Sequence, residues 1–275
     1  MEFVDFTRRV RSKDIELLFP RWQRGERIAF LSPHDDDVIL GAGYILDAAV
    51  NSGGECHVYV FCKGDAGYSS AEEKESVVER RRTETIDCYS SIGVVPESIY
   101  FADIPDFSLM SYLNRKLPNG AGLFDYLVRE FRENRISRVV FSNGHFEHWD
   151  HTAVFLMGMY TVAQAGDPIL ADLGAPSIVQ SFLVYSVWGD FDPQPAFAGG
   201  IRVDKGILAD PQTEQRVRRA IEAFSSQRSI IQGIIAHREQ RRSPHGYLEL
   251  YRTAEVRTQI DYRPYINALN TLKAI

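Results

Sequence analysis

The feature that most constrains the fold is a repeated alternation of short apolar runs with longer amphipathic ones. "RIAFLSP", "CHVYVFCKGDAG", "SIYFADIPDF", "SRVVFSNG" and "IVQSFLVYSVWG" read as strands. "DDVILGAGYILDAAVNSGG", "AEEKESVVERRRTETIDCYSSIGV", "LFDYLVREFRENRI" and "DHTAVFLMGMYTVAQAG" read as helices set between them. Strand and helix in turn, joined by short connections, predict a parallel sheet with helices on both faces. The first twenty or so residues predict an amphipathic helix ending near Pro20. Near the other end, "TEQRVRRAIEAFSSQRSIIQGIIAHREQRR" predicts one long helix, apolar near Val217, Ile221, Phe224 and Ile231. No linker, repeat or low-complexity segment interrupts the pattern. The expected class is α/β: a Rossmann-like three-layer fold with a mostly parallel sheet and a helical C-terminal appendage, residues 1–275 forming a single domain.

Composition excludes several function classes. The chain of 275 residues is 44% hydrophobic and 25% charged, with net charge −6. An acidic balance argues against a broad nucleic-acid surface. No apolar run approaches the roughly 18 residues of a membrane span, and the charged start "MEFVDFTRRVRSKDIELLF" lacks the apolar stretch of a signal peptide. The three cysteines, Cys56, Cys62 and Cys88, are odd in number and lack CxxC spacing, so a reducing cytoplasm is the expected location.

Two clusters carry the chemistry. "LSPHDDDVILGAG" sets His34 before Asp35, Asp36 and Asp37 at the carboxyl end of a predicted strand, where ligands bind in open α/β sheets. A single aspartate there reads as a helix N-cap. Three in a row repel one another, and a bound divalent cation would supply the missing positive charge. "SNGHFEHWDHTAV" follows another predicted strand and holds His145, Glu147, His148, Asp150 and His151. Histidine and aspartate suit zinc, whose catalytic sites commonly use three protein ligands plus water.

"PHDDDVILGAG" followed much later by "HWDH" resembles the LmbE/PIG-L family of metal-dependent N-deacetylases, N-acetylglucosaminyl-phosphatidylinositol de-N-acetylase among them. The resemblance implies a Zn2+ site made by His34, Asp37 and His151, although Fe2+ suits the same donors. It implies Asp36 as general base, and His148, oriented by Asp150, as the group that polarises the carbonyl or protonates the leaving nitrogen. The implied reaction is hydrolysis of an acetyl amide on a small-molecule amino sugar or conjugate. Two positions depart from the family pattern. Asp35 replaces the usual Pro and Val38 stands where Glu is common, leaving Asp35 open between tuning the metal, binding a cation and facing solvent.

The resemblance extends to "KGDAG", "RRTETIDCYSSIGV", "ADIPDF" and "AFSSQRSIIQG". On a helical net Arg81 and Glu84 share a half-apolar face, which predicts a partly buried pair. Arg81 reads either as a structural ion pair or as a contact to a substrate hydroxyl or phosphate. Asp106 reads either as a turn residue or as a hydrogen-bond partner of sugar hydroxyls. Substrate selectivity is expected from residues 64–76, 104–122 and 189–200, and a homo-oligomer stays open. Two other readings compete. One is an amidohydrolase acting on a non-sugar metabolite. The other is a nucleotide-binding module, supported only by the weak glycine signal Gly41–Gly43.

Overall fold

The computed structural model describes residues 1–118, 120–145, 147–188, 191–194, 200–257 and 261–272. The main strands are β1 (Glu2–Asp5), β2 (Val10–Ser12), β3 (Arg27–Ser32), β4 (Glu55–Cys62), β5 (Ile99–Ile104), β6 (Arg138–Ser142), β7 (Ser181–Tyr185), β8 (Lys205–Ala209), β9 (Arg242–Ser243) and β10 (Gly246–Thr253). The helices are α1 (Asp37–Gly41), α2 (Gly43–Asn51), α3 (Val77–Ile92), α4 (Leu123–Glu133), α5 (Trp149–Leu156), α6 (Pro211–Ile221), α7 (Arg228–His237) and α8 (Arg263–Thr271).

One sheet runs in the order β2-β1-β8-β10-β7-β6-β3-β4-β5, with β9 paired to β10. The block β7-β6-β3-β4-β5 is parallel throughout. Strands β10, β8, β1 and β2 extend it antiparallel. Alternate residues of β3 serve opposite layers. Ile28 and Phe30 pack with α2, α3 and α6. Ala29 and Leu31 pack with α4 and α5. Burial on both sides explains why the central strands are apolar without alternation. Truncating a side chain such as fully buried Phe30 costs about 3–5 kcal/mol.

The strand order places the site. From β3 the chain adds β4 and β5 on one side, then crosses to add β6 and β7 on the other. The reversal opens a crevice at the carboxyl ends of β3 and β6, where an open parallel sheet binds its ligand. The two His/Asp clusters follow those two strands.

Four expectations need correction. The N-terminal segment is no helix: β1 pairs antiparallel with β8, and Phe3 and Asp5 point inward with the period of a strand. Asp5 is held there by Lys205 Nζ at 2.6 Å. The helix after β3 is broken at Ala42, with φ −134°. The break lets Gly41 lie against β7, where a Cβ would sit 2.7 Å from the Ser186 carbonyl oxygen. The long late helix is two, α6 and α7, because a turn at Ser225–Gln227 is bound by Glu84. The tail also returns strands β8, β9 and β10 to the sheet, so only α7 and α8 match the helical appendage.

Candidate metal centre and active site

The turn from β3 into α1 sorts the three aspartates by partner. Asp37, first residue of α1, accepts a hydrogen bond from the His34 backbone N at 2.7 Å through Oδ2. The same oxygen lies 3.2 Å from His34 Nδ1 and 3.1 Å from His151 Nε2. Ligand atoms of His34, Asp37 and His151 all fall within 4.8 Å of one another. One carboxylate oxygen shared by two imidazole nitrogens is the arrangement a divalent cation would draw together, and this donor set fits zinc. Asp36 occupies the N-cap position, yet its side chain makes no capping hydrogen bond, so capping does not explain it.

The second cluster enters from the first turn of α5. His148 is its N-cap and its Nδ1 accepts from Asp150 N at 3.2 Å. Asp150 is fully buried. Its Oδ2 lies 3.4 Å from His34 Nε2 and 3.5 Å from His148 Nδ1, and its carboxylate accepts from the backbone N of Phe107 and Leu109. His148 is part-exposed.

Electrostatics separate the groups. Burial pushes Asp36 up, and the charges of Asp35 and Asp37 add to it, bringing it to about 7. Burial opposes ionisation of Asp37, but His151 and His34 outweigh it and hold Asp37 far below the usual carboxylate range. Burial likewise opposes a charge on His151, while Asp37 and Glu147 push it up to about 9. His148 is depressed by burial and by the neighbouring His34. Adjacent carboxylates driven apart in this way mark acid–base work.

Arg81 and Glu84, expected to pair, do not. Arg81 makes a bidentate ion pair with Asp35, its Nε donating at 2.8 Å. Thr85 Oγ1 donates to the same carboxylate, and Tyr89 Oη to the Asp35 carbonyl at 2.7 Å. Asp35 is therefore neither solvent-facing nor free for a cation. The Arg81 side chain is 5% exposed, and its guanidinium is paired with Asp35 beneath the turn. Glu84 accepts from Ser225 Oγ and from Ser226 N and Oγ. Asp106 accepts from the backbone N of Gly64 and Ala66, tying down the loop after β4. Gly64 has φ +76°, and a Cβ there would sit 2.7 Å from Arg81 Nε, so this loop lies directly on the arginine. Within the expected selectivity segments, residues 119, 189–190 and 195–199 lie outside the described residues.

Residues 29–162, β3 through the turn of helix after α5, match the family model described as GlcNAc-PI de-N-acetylase, PIG-L. That stretch of the chain is similar to the PIG-L family. That description names a de-N-acetylase, an enzyme that removes an acetyl group from nitrogen. Solved structures agree in fold across nearly the whole chain. N,N'-diacetylchitobiose deacetylase from Pyrococcus horikoshii is 17% identical with a TM-score of 0.67, covering 89% of this chain and 88% of its own. The zinc-inhibited form of teicoplanin deacetylase Orf2 is 19% identical, TM-score 0.55, covering 83% and 99%. GalB, a 4-carboxy-2-hydroxymuconate hydratase from Pseudomonas putida, is 17% identical, TM-score 0.63, covering 86% and 99%. The fold thus hosts more than one chemistry, and the site residues must carry the assignment. No curated protein sequence matches the chain.

Three residues at the site had no individual role legible in the sequence. Glu147 Oε2 lies 2.6 Å from His151 Nδ1, and its other oxygen accepts from Ser186 Oγ and Val187 N. A carboxylate on the far nitrogen of a ligand histidine fixes its tautomer and orientation. The i, i+4 spacing of Glu147 and His151 was the available signal. The Phe107 ring lies 4.4 Å from that of His148, tilted by 55°, and its backbone has φ +62°, strained for an aromatic residue. Cys62 ends β4 beside His34 with no family motif to flag it.

Proposed function

We propose that the chain is a zinc-dependent hydrolase that removes an acetyl group from an N-acetylated amino sugar or sugar conjugate. The observation that carries this reading is the meeting of His34, Asp37 and His151 at the switch point, with buried Asp36 next to them. Both apolar cores share one sheet, which supports treating residues 1–275 as a single deacetylase domain. Among the described residues no helix is long and apolar enough to cross a membrane, and three free thiols support a reducing, cytoplasmic setting.

His34, Asp37 and His151 would hold the ion. Once bound, it supplies Lewis acidity, acidifying a water and polarising the acetyl carbonyl. Asp36 accepts the proton of the attacking water, a role suited to a carboxylate whose affinity for protons is raised. His148, part-exposed, stabilises the developing oxyanion and delivers a proton to the departing nitrogen. Asp150 orients His148, and Glu147 orients His151. Asp106 lies beside the site with carboxylate lone pairs still open to sugar hydroxyls.

The test is release of primary amine from a panel of N-acetylated sugars by zinc-loaded protein, with His151→Ala as control. Amine release from N-acetyl sugars that His151→Ala abolishes is the expected result. Release only from non-sugar amides would move the substrate class. No release from any acetamide would overturn the assignment.

A further inference from the structure

We propose that Cys62, Asp106 and His34 form a second, softer metal position that competes with His34–Asp37–His151 for one imidazole. This rests on reading His34 as a ligand of the first position. Three strand ends are laced side by side at the carboxyl edge of the sheet. Cys62 N donates to the Pro33 carbonyl at 2.9 Å, and Lys63 N donates to the Ile104 carbonyl at 2.8 Å. Those bonds set the residues just after β3, at the end of β4 and just after β5 in a row, presenting an imidazole, a thiol and a carboxylate. Their donor atoms lie within 4.8 Å of one another. A tetrahedral ion holds such donors roughly 3.5 Å apart, so small side-chain movements close the set. Cys62 is a free, buried thiol, and the backbone bonds from Gly64 and Ala66 hold the Asp106 carboxylate in place.

A thiolate beside imidazole and carboxylate selects a soft divalent ion over a hard one. Binding forms a metal–sulfur bond and releases the thiol proton to solvent. Ligation of two ions by one histidine requires an imidazolate, so at neutral pH the two positions exclude each other. An ion at Cys62 leaves Asp37 and His151 without their third ligand. Excess soft metal therefore inhibits the enzyme by drawing His34 away through a thiol that the hydrolysis does not use.

Cadmium is the probe. Metal-free protein titrated with Cd2+ should develop an ultraviolet sulfur-to-cadmium charge-transfer band that saturates at one ion per chain. Cys62→Ser should lose the band to background and still bind cadmium through the first position. Cys88→Ser, which removes another buried thiol, and His151→Ala, which breaks the first position, should both keep the band. Should Cys62→Ser not fold, the cadmium NMR resonance of the wild type decides alone, since a sulfur ligand moves it strongly downfield. Cadmium bound with no band, or a band that survives Cys62→Ser, overturns this proposal and leaves the first position standing. No cadmium bound at all overturns both.

Discussion

Arg81 and Asp35 form a buried bidentate ion pair beneath the turn that presents the candidate metal ligands, with 5% and 6% of their side chains exposed. Asp35 stands where the family pattern has Pro, so this chain carries an extra charge in the turn and a partner that neutralises it. The pair also screens Asp36, since the Arg81 charge opposes the upward push from burial and the flanking aspartates.

Removing either member leaves the other buried and uncompensated, a loss of about 3–5 kcal/mol. Arg81→Leu and Asp35→Pro should each lower the denaturation midpoint by that measure, although Pro restores the family residue. The double variant should recover much of the loss, because a buried pair exchanged for apolar groups is often neutral. Thermal and urea unfolding of the three proteins measures it. A fully tolerated Asp35→Pro would show that the pair contributes nothing.

Asp36 and Asp37 should fail differently. Asp36→Asn keeps the metal and loses most turnover, about 10²–10⁴-fold, because an amide cannot accept the proton. Asp37→Ala loses metal first, and added zinc rescues part of the activity. Metal content and rate on both variants decide the roles, and they exchange if Asp36→Asn is the one that loses metal.

Glu147→Gln removes the charge on the far side of His151 while keeping the size of the side chain. Zinc affinity should fall about 10–100-fold, as for other carboxylates behind a ligand histidine. Competition with a chromogenic chelator reads this directly. An unchanged affinity would show that the His151 backbone alone orients the ring.

Turnover should follow a bell in pH. The acid limb rises as Asp36 ionises, below pH 7 in the loaded enzyme because the added cation favours its charged form. The alkaline limb falls as His148 loses its proton, and because burial and His34 hold that group below the ordinary imidazole value the bell sits on the acid side of neutrality. His148→Gln with metal retained should abolish the alkaline limb; a surviving limb would take His148 out of the mechanism.

Metal-free protein should lose stability as pH rises. The folded pKa of His151, about 9, lies above its ordinary value of 6.5. Its charge therefore stabilises fully below 6.5, and that contribution disappears as pH rises through 9. Zinc replaces the proton as counter-charge to Asp37, so loaded protein should show little change over the same window. Melting curves at about pH 6 and pH 9.5, with and without zinc, test the contrast.

The apolar runs of β3 to β7 were legible because a strand covered on both faces is apolar at every position, whatever its neighbours. The two clusters were legible because like charges packed at a strand end need a counter-charge, and short spacing shows them together. Other features depend on which distant segments the sheet brings side by side. Asp35 finds Arg81 across 46 residues of chain, and "EFVD" becomes a strand only because β8 offers it an edge. Gly41 must be glycine because the end of β7 passes too close for a Cβ. Cys62 comes beside His34 because β4 neighbours β3. Local periodicity records which side of an element is buried. It carries no record of strand order, and strand order decides which charges meet.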